Sequence, residues 1–375
     1  ECLGNTVVVQ HLAPHLSLSS LISLASVSKL VRSLVFANRD FWRYLDLTHS
    51  KNAIIDFGSQ PVDVRGINRR TERMDESLTE DEFYSGPLRG VFARLQSPKL
   101  LEWVHTLVLD GLSVPADLVG EILREDKYAV RVLSLRECLH LNQTKLQHTL
   151  RYLCRPTRAE GTPRLRALYV FGSKASNRGM ITKSDRGRAA ESGWVTAILG
   201  PQIGGELSVQ SDRPRSDGVG EDEMRWYRCR GQVFWERPDF QWPETLVVCK
   251  NLIAFDGVLC RGPRHDIAKT DSAHFLRPAL ATVALGPSGC VICRSCPETP
   301  AIFGQSDESA HPLLSPPPKH ASTVRAAQQP QQRSSPLILR CEDCLRGRWC
   351  ECCNRWWCEA CYEEPVSQDH LSTEL

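Results

Sequence analysis

Residues 16–47 read LSLSSLISLASVSKLVRSLVFANRDFWRYLDL, and what these side chains can bury decides the fold. Leu18, Leu21, Leu24 and Ala25 recur at three- and four-residue steps, which places them on one face of a helix. Ser17 or Ser19 can accept hydrogen bonds from the first unpaired amides. Leu30, Val31, Leu34 and Val35 make a second face, entered through Ser28, and Phe41-Trp42 follows as an aromatic anchor. Upstream, Leu3, Val7, Val8, His11 and Leu12 predict a third helix. Three helices this short bury too little apolar surface to stand alone. Such a unit either lends its leucines to a partner or is an amphipathic hairpin inside a larger core.

The order of the pieces resembles an F-box. Leu16-Ser17-Leu18, Leu21, Leu24, Val27-Ser28-Lys29, Phe41-Trp42-Arg43 and Leu45-Asp46-Leu47 carry the resemblance. That family opens on Leu-Pro, continues through leucines to a Val-Ser-Lys/Arg-x-Trp segment, and closes on Leu-Trp. Here Ser17 stands where proline is usual and Val31 where the internal tryptophan is usual. The chain begins at Glu1, and the family's opening residues are expected to precede it. The resemblance implies docking on the Skp adaptor of a cullin ubiquitin ligase through Leu16, Leu18, Leu21, Leu24, Val27, Leu30 and Trp42. The rest of the chain would then select a substrate. The combination with a cysteine-rich tail is similar to F-box proteins of filamentous fungi.

A length of 375 residues suggests two or three domains, and 41% hydrophobic with 24% charged residues is the balance of a soluble globular protein. The formal charge of +2 argues neither for nor against nucleic acid. No apolar run reaches the roughly 20 residues that cross a bilayer. Of 16 cysteines, ten fall between Cys290 and Cys361, mostly as C-x-x-C pairs, which favours metal in a reducing compartment (cytoplasm or nucleus) over a secreted disulfide framework.

Residues 1–47 are therefore read as the F-box, and 48–100 as a polar linker with at most one short helix. From 101 to 172 a leucine-rich-repeat-like pattern returns: Leu107 and Leu109, then Leu133 and Leu135, then Leu168 and Val170 mark short strands. Leu118, Ile122 and Leu123, and later Leu146 and Leu150, have the spacing of return helices. Val130, Leu133, Leu135, Cys138 and Leu141-Asn142 form the clearest unit, which resembles a cysteine-containing leucine-rich repeat, and Leu45 and Leu47 could begin the series. An irregular α/β layer is the alternative. Residues 173–224 are rich in Gly, Ser, Arg and Asp and predict a disordered insertion. Residues 225–286 predict an aromatic-rich β segment, in which Leu246–Cys260 supplies one or two buried strands. Residues 287–363 form a zinc module that contains a low-complexity linker at 307–338. The expected class is thus α+β multidomain.

Four pairs have metal-knuckle spacing: Cys290/Cys293, Cys341/Cys344, Cys350/Cys353 and Cys358/Cys361. Two intervening residues let one turn aim both sulfurs at an ion, and zinc takes four ligands in a tetrahedron, so eight thiols suit two structural zincs. Cys296 and Cys352 are left over, and either could replace a neighbour. Free or disulfide-bonded cysteines are the alternative. The ions could be shared by first with third and second with fourth pairs, a cross-brace, or by adjacent pairs as separate knuckles. A RING-type ligase would use a Cys-x-His step before its third pair, and no histidine lies between Cys341 and Cys361. A nucleic-acid face would draw on Arg340, Arg346, Arg348 and Arg355 beside Trp349, Trp356 and Trp357, but nearby Glu and Asp largely cancel that charge. No phosphate loop or Ser-His-Asp arrangement stands out, so the chain is read as a non-catalytic adaptor.

Overall fold

The computed structural model describes residues 5–50, 53, 79–96, 99–173, 233–234, 238–239, 241–270, 272–286, 288–328 and 336–362. The insertion expected at 173–224 lies outside them, apart from Ser173. Among the described residues no helix is long and apolar enough to cross a membrane.

Helices α1 (Thr6–Leu12), α2 (Leu18–Val27) and α3 (Lys29–Ala37) each begin at a residue built to cap them. Asn5 accepts from the Val7 amide, Ser17 from Ser20 and Ser28 from Val31, at 3.0, 3.1 and 3.2 Å. Trp42 then turns inward. Its indole donates to the Val35 carbonyl at 2.9 Å and stacks on Phe36.

Strand β1 (Tyr44–Asp46) follows at once and opens a five-stranded parallel sheet in the order β1-β2-β3-β4-β5. The others are β2 (Thr106–Val108), β3 (Val132–Ser134), β4 (Ala167–Tyr169) and β5 (Ala254–Phe255). Neighbouring strands are consecutive in the chain and all pair parallel, each returning beside the last through a helix. The register aligns Leu45, Leu107, Leu133, Leu168 and Phe255, which all point into one core. Helices α5 (Ala116–Arg124) and α6 (Gln143–Leu153) bury Leu118, Ile122, Leu146 and Leu150 against it. Cys138 donates its thiol to the Leu109 carbonyl of the preceding turn at 3.3 Å. Beyond β5, Asp256 accepts the amides of Val170, Phe171 and Gly172 at 2.7–3.1 Å.

Two segments depart from expectation. The linker at 48–100 contains α4 (Glu80–Gln96), which buries Leu88, Val91, Phe92 and Leu95 in the parallel-sheet core. A reciprocal cap between Thr79 and Glu82 starts this helix: Thr79 donates from its amide to the Glu82 carboxylate, and the Glu82 amide donates back. The β segment at 225–286 is in part helical. Leu246–Cys249 belongs to α7 (Trp242–Cys249), because Pro243 sits at the helix start, where its missing amide costs nothing. The Trp242 indole donates to Gln143 on α6, which ties this helix to that one.

Strands β6 (Val283–Leu285) and β7 (Ile338–Arg340) pair antiparallel in a separate small sheet. Between them the low-complexity linker does not hang free. Residues 313–328, ending in the short helix α8 (Val324–Gln328), lie on the parallel sheet and bury Val132, Ala167 and Tyr169.

Candidate metal centres

β6 and β7 run in opposite directions, so each delivers one cysteine knuckle to a different end of the small sheet. Past β6, the turn at Cys290–Cys293 is shaped by Gly289, whose φ of +83° a side chain would strain; a Cβ there would also meet the Ser295 carbonyl at 2.6 Å. This knuckle meets Cys358 and Cys361, and the four sulfurs gather in one cluster. Cys293 and Cys358 lie 3.8 Å apart. That is about the edge of a tetrahedron with metal–sulfur bonds of roughly 2.3 Å. The Ser295 hydroxyl, above all, pulls the Cys293 thiol down to about 6, towards the thiolate a metal needs.

Past β7, Cys341 caps the short helix α9 (Glu342–Leu345) and accepts the Cys344 amide on its sulfur at 3.3 Å. Its companions come from the loop after β5. Cys260 and His265 gather with Cys341, the His265 Nε2 lying 3.2 Å from the Cys341 sulfur. Cys344, in the same knuckle as Cys341, brings its sulfur against Gly262, between Cys260 and His265, and is the candidate for a fourth ligand. Gly262 makes this approach possible: a Cβ there would stand 2.0 Å from the Cys344 sulfur.

The expected pairings are therefore corrected. Neither Cys290/Cys293 with Cys350/Cys353 nor adjacent pairs share a centre. In chain order the pairs are Cys260/His265, Cys290/Cys293, Cys341/Cys344 and Cys358/Cys361, the first meeting the third and the second the fourth. This is a cross-brace with a member that a search for C-x-x-C cannot find, because Cys260 and His265 are separated by four residues. Cys350 and Cys353 belong to neither cluster. They sit on the turn of a hairpin closed by Trp349 and Trp356, where Cys352 and Cys353 face solvent. The backbone amide of Cys353, above all, lowers the Cys350 thiol.

A buried ion cluster ties the centres together. The Glu298 carboxylate accepts from Arg340 at 3.2 Å, Arg348 at 2.6 Å and the Glu359 amide at 2.9 Å. Arg348 and Arg264 both pair with Glu359, which lies between the ligands Cys358 and Cys361. Arg264 itself precedes the ligand His265. The side chains of Arg340 and Arg348 are each 1% exposed, so two of the four arginines expected on a nucleic-acid face are spent internally, with Trp356 buried, while Arg346 and Arg355 are exposed.

The residues expected to dock a partner divide. Leu21 (2% exposed) and Trp42 (0%) are sealed in the chain's own core and cannot be contact residues. Leu16, Leu18 and Leu24 are half-buried, while Val27 (72%) and Leu30 (71%) stand out in solvent with Val7, Val8, Leu12 and Ile22. Leu12, Leu16, Leu24 and Val27 line an open groove of about 500 Å³. No family model, no curated protein and no solved structure matches this chain.

Proposed function

We propose that the chain is the substrate-recognition subunit of a Skp–cullin–F-box ubiquitin ligase, with two structural zinc ions in its cysteine module. The observation that supports it is the apolar outer face of α1–α3. Val7, Val8, Leu12, Ile22, Val27 and Leu30 are exposed, and Leu12 and Val27 line one groove with Leu16 and Leu24, whereas Phe41 and Trp42 are buried. A soluble protein rarely leaves an apolar patch of this kind without a partner for it. The buried Leu21 and Trp42 fix the angles between the helices, and the exposed side chains supply the contacts. Catalysis belongs to the partner subunits, and this chain acts by raising the concentration of substrate near the charged ubiquitin carrier.

The zinc assignment rests on donor chemistry. A set of four thiols, and a set of two thiols and one imidazole with Cys344 beside it, suit structural zinc. A second reading, a zinc ubiquitin ligase acting directly through this module, is favoured by the interleaved order of the ligands. Because Cys260 and His265 are among them, it is tested on the full chain and not on a fragment starting at Cys290.

The test replaces Val27 and Leu30 with Glu and measures co-purification with the Skp adaptor. Capture by the parent chain and none by the variant is the expected result. Equal recovery of both, or adaptor capture by neither, removes the adaptor reading. Ubiquitin-chain formation by the full chain with a carrier enzyme and no cullin would favour the second one.

A further inference from the structure

The five-stranded sheet has two faces. One carries Leu107, Leu133 and Leu168 into the parallel-sheet core; the other presents the alternate residues Thr106, Val132, Ala167 and Tyr169. These are buried too, but only by a segment far along the chain. Residues 302–336 leave and rejoin the cysteine module at a bridge between Ala301 and Leu337, which exchange two backbone hydrogen bonds at 2.8 and 3.0 Å. A connection this long inside a compact unit usually has a task of its own.

Its contacts with the sheet are those of a ligand. The Leu313 amide donates to the Phe255 carbonyl at 2.9 Å, continuing from β5. The Tyr169 hydroxyl donates to the Ser315 carbonyl at 2.9 Å, and the Ser322 and Thr106 hydroxyls meet at 3.1 Å. Leu313 and Ala327 supply the apolar contacts, with Val324 at their edge. Between these anchors run Pro316, Pro317 and Pro318, where the chain bends and the fixed proline φ angles limit its freedom. The fit is incomplete: a cavity of about 20 Å³, room for one water, remains between Arg136, Tyr169, Asp256, Leu313 and Ser315.

We propose that this sheet face is a binding surface for a proline- and serine-rich segment with small apolar side chains, and that residues 313–328 occupy it in cis. A partner segment of the same chemistry displaces them and takes the same hydroxyl and carbonyl contacts. Only the description of that partner as a substrate for ubiquitin transfer rests on the adaptor reading; the binding itself does not. A tethered occupant competes at an effective concentration of about a millimolar, so the intact chain accepts only partners that present this chemistry well or repeatedly.

The probe is a fluorescein-labelled peptide with the sequence of residues 311–328, titrated against the metal-loaded full chain and followed by anisotropy. In a variant with residues 313–327 replaced by glycine and serine at equal length, the peptide is expected to bind at least tenfold more tightly than to the parent. The same peptide carrying Leu313→Asp and Ala327→Asp is expected to lose at least tenfold. A variant that keeps its metal and thermal transition yet binds no better than the parent overturns the proposal. If the replacement prevents folding, the parent chain carries the test. Excess peptide should then accelerate tryptic cleavage after Lys319 and Arg325 severalfold, and an unchanged rate is the overturning result. Peptide binding without adaptor capture leaves this proposal standing while removing the adaptor reading, and the converse removes this one alone.

Discussion

The N-terminal helices and the cysteine module face the same shortage and meet it differently. Each is too small to build a sufficient hydrophobic core. The helices push Trp42, Leu45 and Leu47 into the parallel-sheet core and leave Val27 and Leu30 outside. The cysteine module instead gathers thiols, one imidazole and a closed set of ion pairs around a few apolar residues such as Val283, Ile338 and Trp356. Stability in the first region is therefore borrowed from packing, and the second has clusters that could draw it from coordination. The two should fail under different conditions.

Metal removal should separate them most sharply. Structural zinc contributes on the order of 10 kcal/mol to the folding of small modules. A strong chelator should abolish the tertiary signal around Trp356 while the helical signal of α1–α7 persists. Metal analysis before treatment should give two ions per chain; simultaneous loss of both signals would mean that the regions are one cooperative unit. Next comes the ion cluster. Glu298→Ala leaves Arg340 and Arg348 buried without their carboxylate, an arrangement that costs about 3–5 kcal/mol. Thermal unfolding of the metal-loaded protein measures it, and a change under 1 kcal/mol would mean that the arginines find other partners.

The helices supply a paired contrast. Leu21→Ala empties a buried site and should cost about 2–5 kcal/mol in denaturant unfolding. Val27→Glu, on the same helix but exposed, should stay within about 0.5 kcal/mol. Equal costs would mean that the outer face is covered after all. The smallest effect is expected at Cys353→Ser. That thiol belongs to neither cluster, so both metal content and melting temperature should remain as in the parent. A drop to one ion would place Cys353 in a centre.

Much of the parallel sheet was legible because the leucine alternation of a strand survives in short pieces. Leu107/Leu109 and Leu133/Leu135 announce their strands directly, and Cys138 marks the turn after the second of them. Helix α4 was missed because Gly86, Pro87 and Gly90 interrupt it within a charged run. Its spacing of Leu88, Val91, Phe92 and Leu95, with the Thr79–Glu82 cap, was the available signal. α7 was misread because a short apolar run has no period that separates strand from helix, and only Pro243 marks its start. Of the cysteines expected as ligands, Cys290, Cys293, Cys341, Cys358 and Cys361 fall in clusters that could hold a metal. The second cluster's remaining half was hidden because Cys260 and His265 lie beyond β5, far from the cysteine-rich stretch, with a spacing that has no knuckle signature. Gly262-Pro263 between them was the one hint of a tight turn there. Leu21 and Val27 look alike in the sequence, and only the packing of the folded chain separates them, burying the first and exposing the second.

The interleaving of the ligands has a consequence for how the protein is made. On a ribosome the parallel sheet can add one strand at a time as its residues emerge, from Leu45 onward. Neither ion can be enclosed on that schedule. The centre begun by Cys260 and His265 waits for Cys341 and Cys344, and the one begun by Cys290 waits until Cys361 has been synthesised. A nascent chain stalled between His265 and Cys341 carries a finished parallel sheet with both sets incomplete, and one stalled between Cys344 and Cys361 leaves the second set open to oxidation.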